Sequence, residues 1–132
     1  MGNYTAFGVQ ASTLKLENQS SLKQPPPEKD GKIKTLNAMG YMTPEVDHIT
    51  QEFIEFAATS AFPVLDGGAA YGVATIPALK RGATVIANDI EANHLILIAK
   101  NEALTQEEKS RLYLNHDALP KANFPDHSLG AI

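Results

Sequence analysis

The sequence predicts an α/β fold, in which helices flank a parallel sheet. From residue 43 onward, short apolar runs alternate with segments of helical periodicity. The first apolar run, "PVLD", leads directly into "GGAAYG", and such a glycine-rich stretch is typical of a tight turn between a strand and a helix. The spacing of the runs is that of right-handed β-α-β crossovers.

Length and composition indicate one soluble domain at most. The chain has 132 residues, of which 43% are apolar and 20% charged, as in ordinary globular proteins. The net charge of −4 disfavours non-specific binding to nucleic acid or to an anionic membrane. Without cysteine there is neither a disulfide nor a thiolate metal site. Because no apolar run approaches a membrane span and no secretory signal is present, we expect a cytoplasmic protein.

The N-terminal third is polar and differs from the rest of the chain. Its stretch "KQPPPEKDGK" has no helical or strand period, and its three prolines favour an extended conformation. A ligand for a proline-recognising domain is one interpretation, but PxxP spacing is missing. We therefore predict a flexible leader over residues 1–36 and a folded domain over residues 37–132.

The first predicted helix spans about 44–60. Thr43 is a good N-cap, and Pro44 suits the first helical position. The strand "FPVLD" follows at 62–66. The apolar side chains that recur at helical spacing are Val46, Ile49, Phe53, Phe56 and Ala57.

A second helix is predicted from about Tyr71 to Lys80, with Gly82 as its C-terminal stop. Pro77 lies inside this segment and removes the hydrogen bond to Val73, so we expect a kink or distortion there.

The remaining elements continue the alternation. Thr105 and Glu108 have the spacing of a capping box, which predicts a short helix. The other predicted elements are the strand "TVIAN" (84–88), the apolar helix "EANHLILIAKNEAL" (91–104), the strand "LYLNH" (112–116) and the start of a fourth strand in "FPDHSLGAI" (124–132).

Three carboxylates are predicted at the carboxyl ends of the strands, where open parallel sheets bind their ligands. Asp66 closes the first strand, Asp89 the second and Asp117 the third. A carboxylate at the end of the second strand can accept both hydroxyls of a ribose. An aspartate after a strand is also a common helix cap, so each position alone has a structural alternative.

The glycine loop suits close approach to a ligand. Gly67, Gly68 and Gly72 allow sharp turns, although such turns also occur for steric reasons alone. For a dinucleotide, the Gly-x-Gly-x-x-Gly frame would have Ala69 at the glycine of closest approach. Asp66 would also face the diphosphate without compensation, which counts against a nicotinamide or flavin cofactor.

A second frame, acid-x-Gly-x-Gly-x-Gly on Asp66, Gly68, Ala70 and Gly72, strongly resembles motif I of class I S-adenosylmethionine-dependent methyltransferases. The resemblance runs from about Tyr41 to the end of the chain and implies a Rossmann-like fold. It also implies that this loop lines the methionyl and ribose portions of S-adenosylmethionine. That cofactor has no phosphate and carries a sulfonium and an amino group, so a nearby carboxylate suits it.

The resemblance implies further roles. Asp89 in "ANDIE" is similar to the acid that grips the ribose hydroxyls, with Ile90 against the adenine. Asp117 and Ala118 in "NHDALP" are similar to the pair that recognises the adenine edge. Gly130 stands where the family usually has an aspartate. The cofactor-binding residues implied by the resemblance are therefore Asp66, Gly67, Gly68, Ala70, Gly72, Asp89, Ile90, Asp117 and Ala118.

The segment around Tyr41 and Met42 precedes the first helix. By resemblance it folds over the cofactor, and ordinary packing is the alternative. The four histidines, of which His94 lies in the third helix, form no recognisable metal constellation.

The family fold has seven strands, of which this sequence supplies three and the beginning of a fourth. We therefore expect residues 37–132 to be a partial S-adenosylmethionine-binding domain, truncated at the start of the fourth strand. Its sheet edge would need the missing C-terminal half or a partner chain. The methyl acceptor and the catalytic groups are not identified. Two alternatives stay open, a non-catalytic relative that binds the cofactor or a partner and an NAD(P)-dependent oxidoreductase.

Overall fold

The computed structural model describes residues 4–5, 7–16 and 21–116. Asp117, Ala118 and the predicted fourth strand at 124–132 lie outside this part of the chain. The strands that it contains are β1 (Tyr4–Thr5), β2 (Gly8–Gln10), β3 (Ile33–Lys34), β4 (Tyr41–Met42), β5 (Val64–Gly67), β6 (Val85–Asn88) and β7 (Leu112–Asn115). The α-helices are α1 (His48–Thr59), α2 (Thr75–Lys80), α3 (Ala92–Ala99) and α4 (Gln106–Ser110), and a 3₁₀ turn spans Ala11–Thr13.

The three predicted strands form the parallel part of the sheet. Val64 of β5 lies opposite Val85 of β6, which lies opposite Leu112 of β7. Every residue of β6 is buried, as expected for a parallel strand covered on both faces. Helices α2, α3 and α4 pack on the strands β6 and β7. The α/β prediction is therefore confirmed as a mixed, mostly parallel sheet flanked by helices.

The far edge of the sheet is built by residues that the sequence analysis assigned to the leader. The sheet order is β1-β2-β7-β6-β5, and β2 pairs antiparallel with β7. Gly8 has a φ of +125°, and a Cβ there would overlap the backbone carbonyl of Leu114. The ring of Phe7 meets that of Tyr113 edge-on at 5.7 Å. The flexible leader over residues 1–36 and the domain boundary at residue 37 stay predictions, but this segment contributes the strands β1, β2 and β3.

Strands β3 and β4 form a separate hairpin over residues 33–42. The amide of Thr35 donates to the Gly40 carbonyl at 2.9 Å, and the Gly40 amide donates back to the Thr35 hydroxyl at 3.1 Å. Asn37 Oδ1 accepts from that hydroxyl at 2.8 Å within the turn. The side chain of Ile33 is buried and anchors one end of the hairpin. The sequence analysis did not predict this element.

Helix α1 begins four residues later than predicted. Asp47 is the N-cap, because its Oδ1 accepts from the Thr50 amide at 2.7 Å. The Thr43 hydroxyl instead accepts from the Glu45 amide at 3.3 Å in the preceding turn. The predicted N-cap at Thr43 is therefore wrong, since the carboxylate nearer the apolar segment satisfies the first free amides of the helix.

The buried face of α1 also differs in part from the predicted one. Ile54 and Ala57 are buried, and Phe53 packs partly on the core. Ile49 and Phe56, which the periodicity placed on the same face, are exposed.

Helix α2 begins at Thr75 rather than at Tyr71. Pro77 therefore lies in the first turn, where proline is tolerated. The predicted helix from Tyr71 is interrupted before Pro77, since residues 71–74 form turns and α2 begins after them. The predicted stop is confirmed, since the helix ends at Lys80 and Gly82 follows with a φ of +97°.

Helix α3 ends at Ala99, five residues before the predicted end. The side chain of Glu91 caps its start by accepting from the Asn93 amide at 3.1 Å. Beyond the helix, Asn101 Oδ1 accepts from the Ala103 amide at 2.9 Å and closes a turn. This local side-chain bond competes with continued helix.

The capping box of α4 is confirmed. The Thr105 hydroxyl accepts from the Glu108 amide at 3.1 Å, and Glu108 Oε1 accepts from the Thr105 amide at 2.8 Å. No helix within the described residues is both long and apolar enough to cross a membrane.

Candidate functional site

A cavity of about 270 Å³ lies at the carboxyl ends of β5 and β6, where ligands bind in open parallel sheets. Its floor comes from the loop after β5 and from the residues between β6 and α3, and its roof is the hairpin. The lining residues are Thr35, Asn37, Met39, Gly40, Tyr41, Met42, Gly68, Ala70, Asp89, Ile90 and His94. Four of the predicted site residues, Gly68, Ala70, Asp89 and Ile90, are thus brought together.

The loop after β5 turns through three left-handed residues, of which Gly68 and Ala70 line the cavity. Gly68 has a φ of +68° and Ala70 a φ of +47°. A Cβ added to Gly68 would meet no heavy atom of the described residues within 4 Å, so it would project into open space. The Ala69 amide donates to the Asn88 carbonyl at 2.9 Å, which fastens the loop to β6. The backbone at Gly68 is therefore open to a ligand.

Gly72 serves packing instead. A Cβ there would lie 3.1 Å from Ile76 Cδ1 and 3.2 Å from Ile98 Cγ1, so the glycine allows α2 and α3 to approach each other. Gly72 does not line the cavity, and neither do Asp66 and Gly67.

Asp89 is a buried carboxylate with three donors. Its Oδ2 accepts from the Ala70 amide at 2.8 Å, and its Oδ1 accepts from the Glu91 amide at 2.9 Å. His94 Nδ1 lies 3.1 Å from the same Oδ1. A carboxylate has about four lone-pair positions, so about one is left for a ligand. Asp89 thus fixes the glycine loop and can still offer one acceptor to the cavity.

The mouth of the cavity is apolar. Ile90 is 60% exposed beside Asp89, and the hairpin contributes Met39 and Tyr41, which are 79% and 51% exposed. These large side chains from two elements all line one cavity. Their exposed apolar surface suits a flat, weakly polar group such as a nucleobase.

Asp66 adds a second carboxylate close to Asp89. Burial raises the pKa of Asp66, and the negative charge of Asp89 raises it further, while the hydrogen bond from Thr75 opposes both effects. The Thr75 hydroxyl donates to Asp66 Oδ2 at 2.5 Å. The pKa of Tyr71 is raised by burial first and then by the charge of Asp89. The negative charge of Asp89 therefore acts on both Asp66 and Tyr71.

His94 is a site residue that the sequence analysis did not assign. Its ring is 1% exposed, and its Nε2 accepts from the Leu36 amide of the hairpin at 2.9 Å. The Tyr71 ring meets it edge-on at 4.9 Å. The one sequence signal for this role of His94 was a polar residue at the start of the apolar run "HLILIA". In the part of the chain that the structure describes, no group of three or more histidines, aspartates or glutamates could hold a metal ion.

Comparison with protein-family models, curated proteins and solved structures finds no match to this chain.

Proposed function

We propose that this chain binds S-adenosylmethionine in the cavity at the ends of β5 and β6, as part of a class I methyltransferase with a Rossmann-like fold. The observation that carries the proposal is the meeting of three features in one cavity: the open backbone at Gly68, the carboxylate of Asp89 and the exposed side chain of Ile90. Gly68, Asp89 and Ile90 are three of the cofactor-binding residues that the sequence resemblance implies, and their meeting in one cavity supports the proposal.

The charges at the site favour a cationic ligand. The described lining residues include the carboxylate of Asp89 but neither lysine nor arginine. Asp66 lies close enough for the charge of Asp89 to raise its pKa. A sulfonium or ammonium group would offset this negative potential, whereas a diphosphate would meet it without a basic partner. This argument supports S-adenosylmethionine over a nicotinamide dinucleotide.

The described residues would contribute positioning to the reaction. When bound, S-adenosylmethionine supplies an activated methyl group, which passes to a nucleophile as the carbon–sulfur bond breaks. Asp89 would hold a ribose hydroxyl with its remaining acceptor position, and Ile90 would pack on the adenine. The hairpin would exclude water from above. Alignment of this kind is the main requirement of an in-line displacement.

Titration with S-adenosylhomocysteine and with NAD⁺ tests the proposal by calorimetry. We expect binding of S-adenosylhomocysteine alone. Because Ile90 is exposed, Ile90→Ala should leave the melting temperature unchanged and weaken binding by about 1–2 kcal/mol through lost apolar contact. Ile49→Ala is the matched control, since Ile49 is 66% exposed on α1 and does not line the cavity. Binding of NAD⁺ with no binding of S-adenosylhomocysteine would refute the proposal in favour of an oxidoreductase.

A non-catalytic relative is the second candidate. The observation in its favour is that Asp89 and His94 are both held by hydrogen bonds to other parts of the protein. Neither is positioned as a general base for an acceptor. Methyl transfer by the protein to any acceptor would exclude this candidate, and cofactor binding without turnover over a broad acceptor panel would support it.

A further inference from the structure

We propose that His94 is a positioning residue that latches the hairpin over the cavity and at the same time orients Asp89 beneath it. The latch consists of two hydrogen bonds to the hairpin, from the Leu36 amide to His94 Nε2 and from the Tyr71 hydroxyl to the Lys34 carbonyl. The inference depends on the proposed function for the identity of the ligand, but not for the existence of the latch.

The hydrogen-bond partners define the tautomer of His94. Its Nε2 accepts from the Leu36 amide, so that nitrogen carries no proton. Its Nδ1 lies 3.1 Å from Asp89 Oδ1, and a carboxylate can only accept, so Nδ1 donates. One neutral imidazole therefore joins the roof of the cavity to its floor.

Tyr71 reinforces the same connection. Its hydroxyl donates to the Lys34 carbonyl at 2.6 Å, and its ring packs edge-on against His94 at 4.9 Å. Both hydrogen bonds thus reach the first arm of the hairpin, two residues apart in the chain. The two side chains come from separate segments, one from the loop before α2 and one from α3.

The hairpin is not part of the main sheet, so other contacts must hold it over the cavity. Its strands pair with each other and, within the described residues, with no strand of the main sheet. Its position over the cavity therefore depends on side-chain contacts, namely the latch and the buried Ile33. Beyond Leu36, Met39 of the turn and Tyr41 of β4 line the cavity mouth. Lifting of this segment breaks the bond at Leu36 and would speed the release of a ligand bound beneath it.

Three variants separate the two functions of the ring. In His94→Asn, the amide can still donate to Asp89 but cannot reach the Leu36 amide. In His94→Gln, the longer side chain can accept from Leu36 but no longer donates to Asp89. Tyr71→Phe removes the second latch bond and keeps the ring contact with His94.

Hydrogen exchange of the amides in residues 33–42 reports opening of the hairpin directly. We expect His94→Asn and Tyr71→Phe to speed this exchange about two- to tenfold, the effect of one hydrogen bond, with no change in β6. The dissociation rate of S-adenosylhomocysteine should rise by the same factor. His94→Gln should keep the exchange of the hairpin close to that of the unmodified protein and weaken binding through Asp89.

Nitrogen NMR of the unmodified chain provides a test without any variant. The His94 ring should show a protonated Nδ1 and an unprotonated Nε2. A protonated Nε2 would overturn the latch, and so would hairpin exchange that is unchanged in His94→Asn and Tyr71→Phe, or that rises equally in β6. If the unmodified protein binds no S-adenosylhomocysteine, the proposed function fails, while exchange and tautomer still decide the latch.

Discussion

Three glycine-to-alanine substitutions separate the packing role of the glycine loop from its ligand-binding role. Gly68, Gly72 and Gly82 all have positive φ, at +68°, +84° and +97°. A left-handed alanine costs about 1–2 kcal/mol relative to glycine, so all three variants share this loss. Two further effects differ among the variants: overpacking around the added Cβ and obstruction of the cavity. Both can be worked out from the surroundings of each added Cβ.

Only Gly72→Ala adds overpacking. Its Cβ would lie 3.1–3.2 Å from side-chain atoms of Ile76 and Ile98, closer than ordinary contact. Forcing a methyl group into a packed site costs about 1–3 kcal/mol. Gly72→Ala should therefore lose about 2–5 kcal/mol of unfolding free energy in chemical denaturation. Gly68→Ala and Gly82→Ala should lose about 1–2 kcal/mol, because neither Cβ meets a heavy atom within 4 Å.

Only Gly68→Ala should impair the site. Gly68 lines the cavity and its added Cβ would stand in open space, so calorimetry should show S-adenosylhomocysteine binding at least about tenfold weaker, which corresponds to about 1.4 kcal/mol. Gly82→Ala is the matched control, with the same backbone strain at the end of α2 and no contact with the cavity. Equal affinities for Gly68→Ala and Gly82→Ala would refute the assignment of the loop, and equal stabilities for Gly72→Ala and Gly82→Ala would refute the packing argument.

The remaining predictions concern pH, the N-terminal strands and a partly buried arginine. Because the pKa of Asp66 is raised in the fold above the ordinary 3.8, the folded state binds more protons, and this contribution to stability is lost as pH rises through the folded-state pKa. The unfolding free energy of Asp66→Asn should therefore fall less over that range, and identical pH profiles would contradict the assignment. Deletion of residues 1–16 should lower the melting temperature and promote aggregation, because it uncovers the edge of β7; a monomeric, equally stable product would instead support a dispensable leader. Arg111→Ala should lose about 1–3 kcal/mol in chemical denaturation, because its guanidinium donates to two backbone carbonyls, whereas Glu107→Gln removes only an exposed partner and should have a smaller effect. A larger loss for Glu107→Gln than for Arg111→Ala would show that the ion pair contributes more to stability than the bonds to the carbonyls.

The elements that the sequence predicted well carry their signals locally. Strands β5, β6 and β7 each begin with two or three consecutive apolar residues, as buried parallel strands require. The capping box of α4 has both of its partners three residues apart, at Thr105 and Glu108. The sequence analysis took Thr43 as the N-cap of helix α1, whereas the structure uses Asp47, because the starting point depends on which side chains reach the core. Local pattern could not distinguish them.

The missed elements depend on distant partners. Strands β1 to β4 are two or three residues long, too short to show a period, and β2 is defined by its pairing with β7. The sequence alone does not show that glycine is required at position 8. The requirement comes from the Leu114 carbonyl, which lies beside Gly8 in the fold. The sequence located Asp89 at a strand end, but its link to the hairpin through His94 joins residues 58 positions apart, from Leu36 to His94. Such contacts leave no periodic trace in the chain.

The two borders of the main sheet have different properties. On one side, the antiparallel strands β1 and β2 cover β7, whereas the outer border of β5 has no strand partner among the described residues. A polypeptide that extends the parallel part of this sheet would therefore add at β5, because β2 covers β7. Because the loop after β5 forms the cavity floor, an added strand running parallel to β5 would end next to the bound ligand. Growth of the sheet and completion of the binding site would then be one event, and ligand affinity would report whether the neighbouring strand is in place.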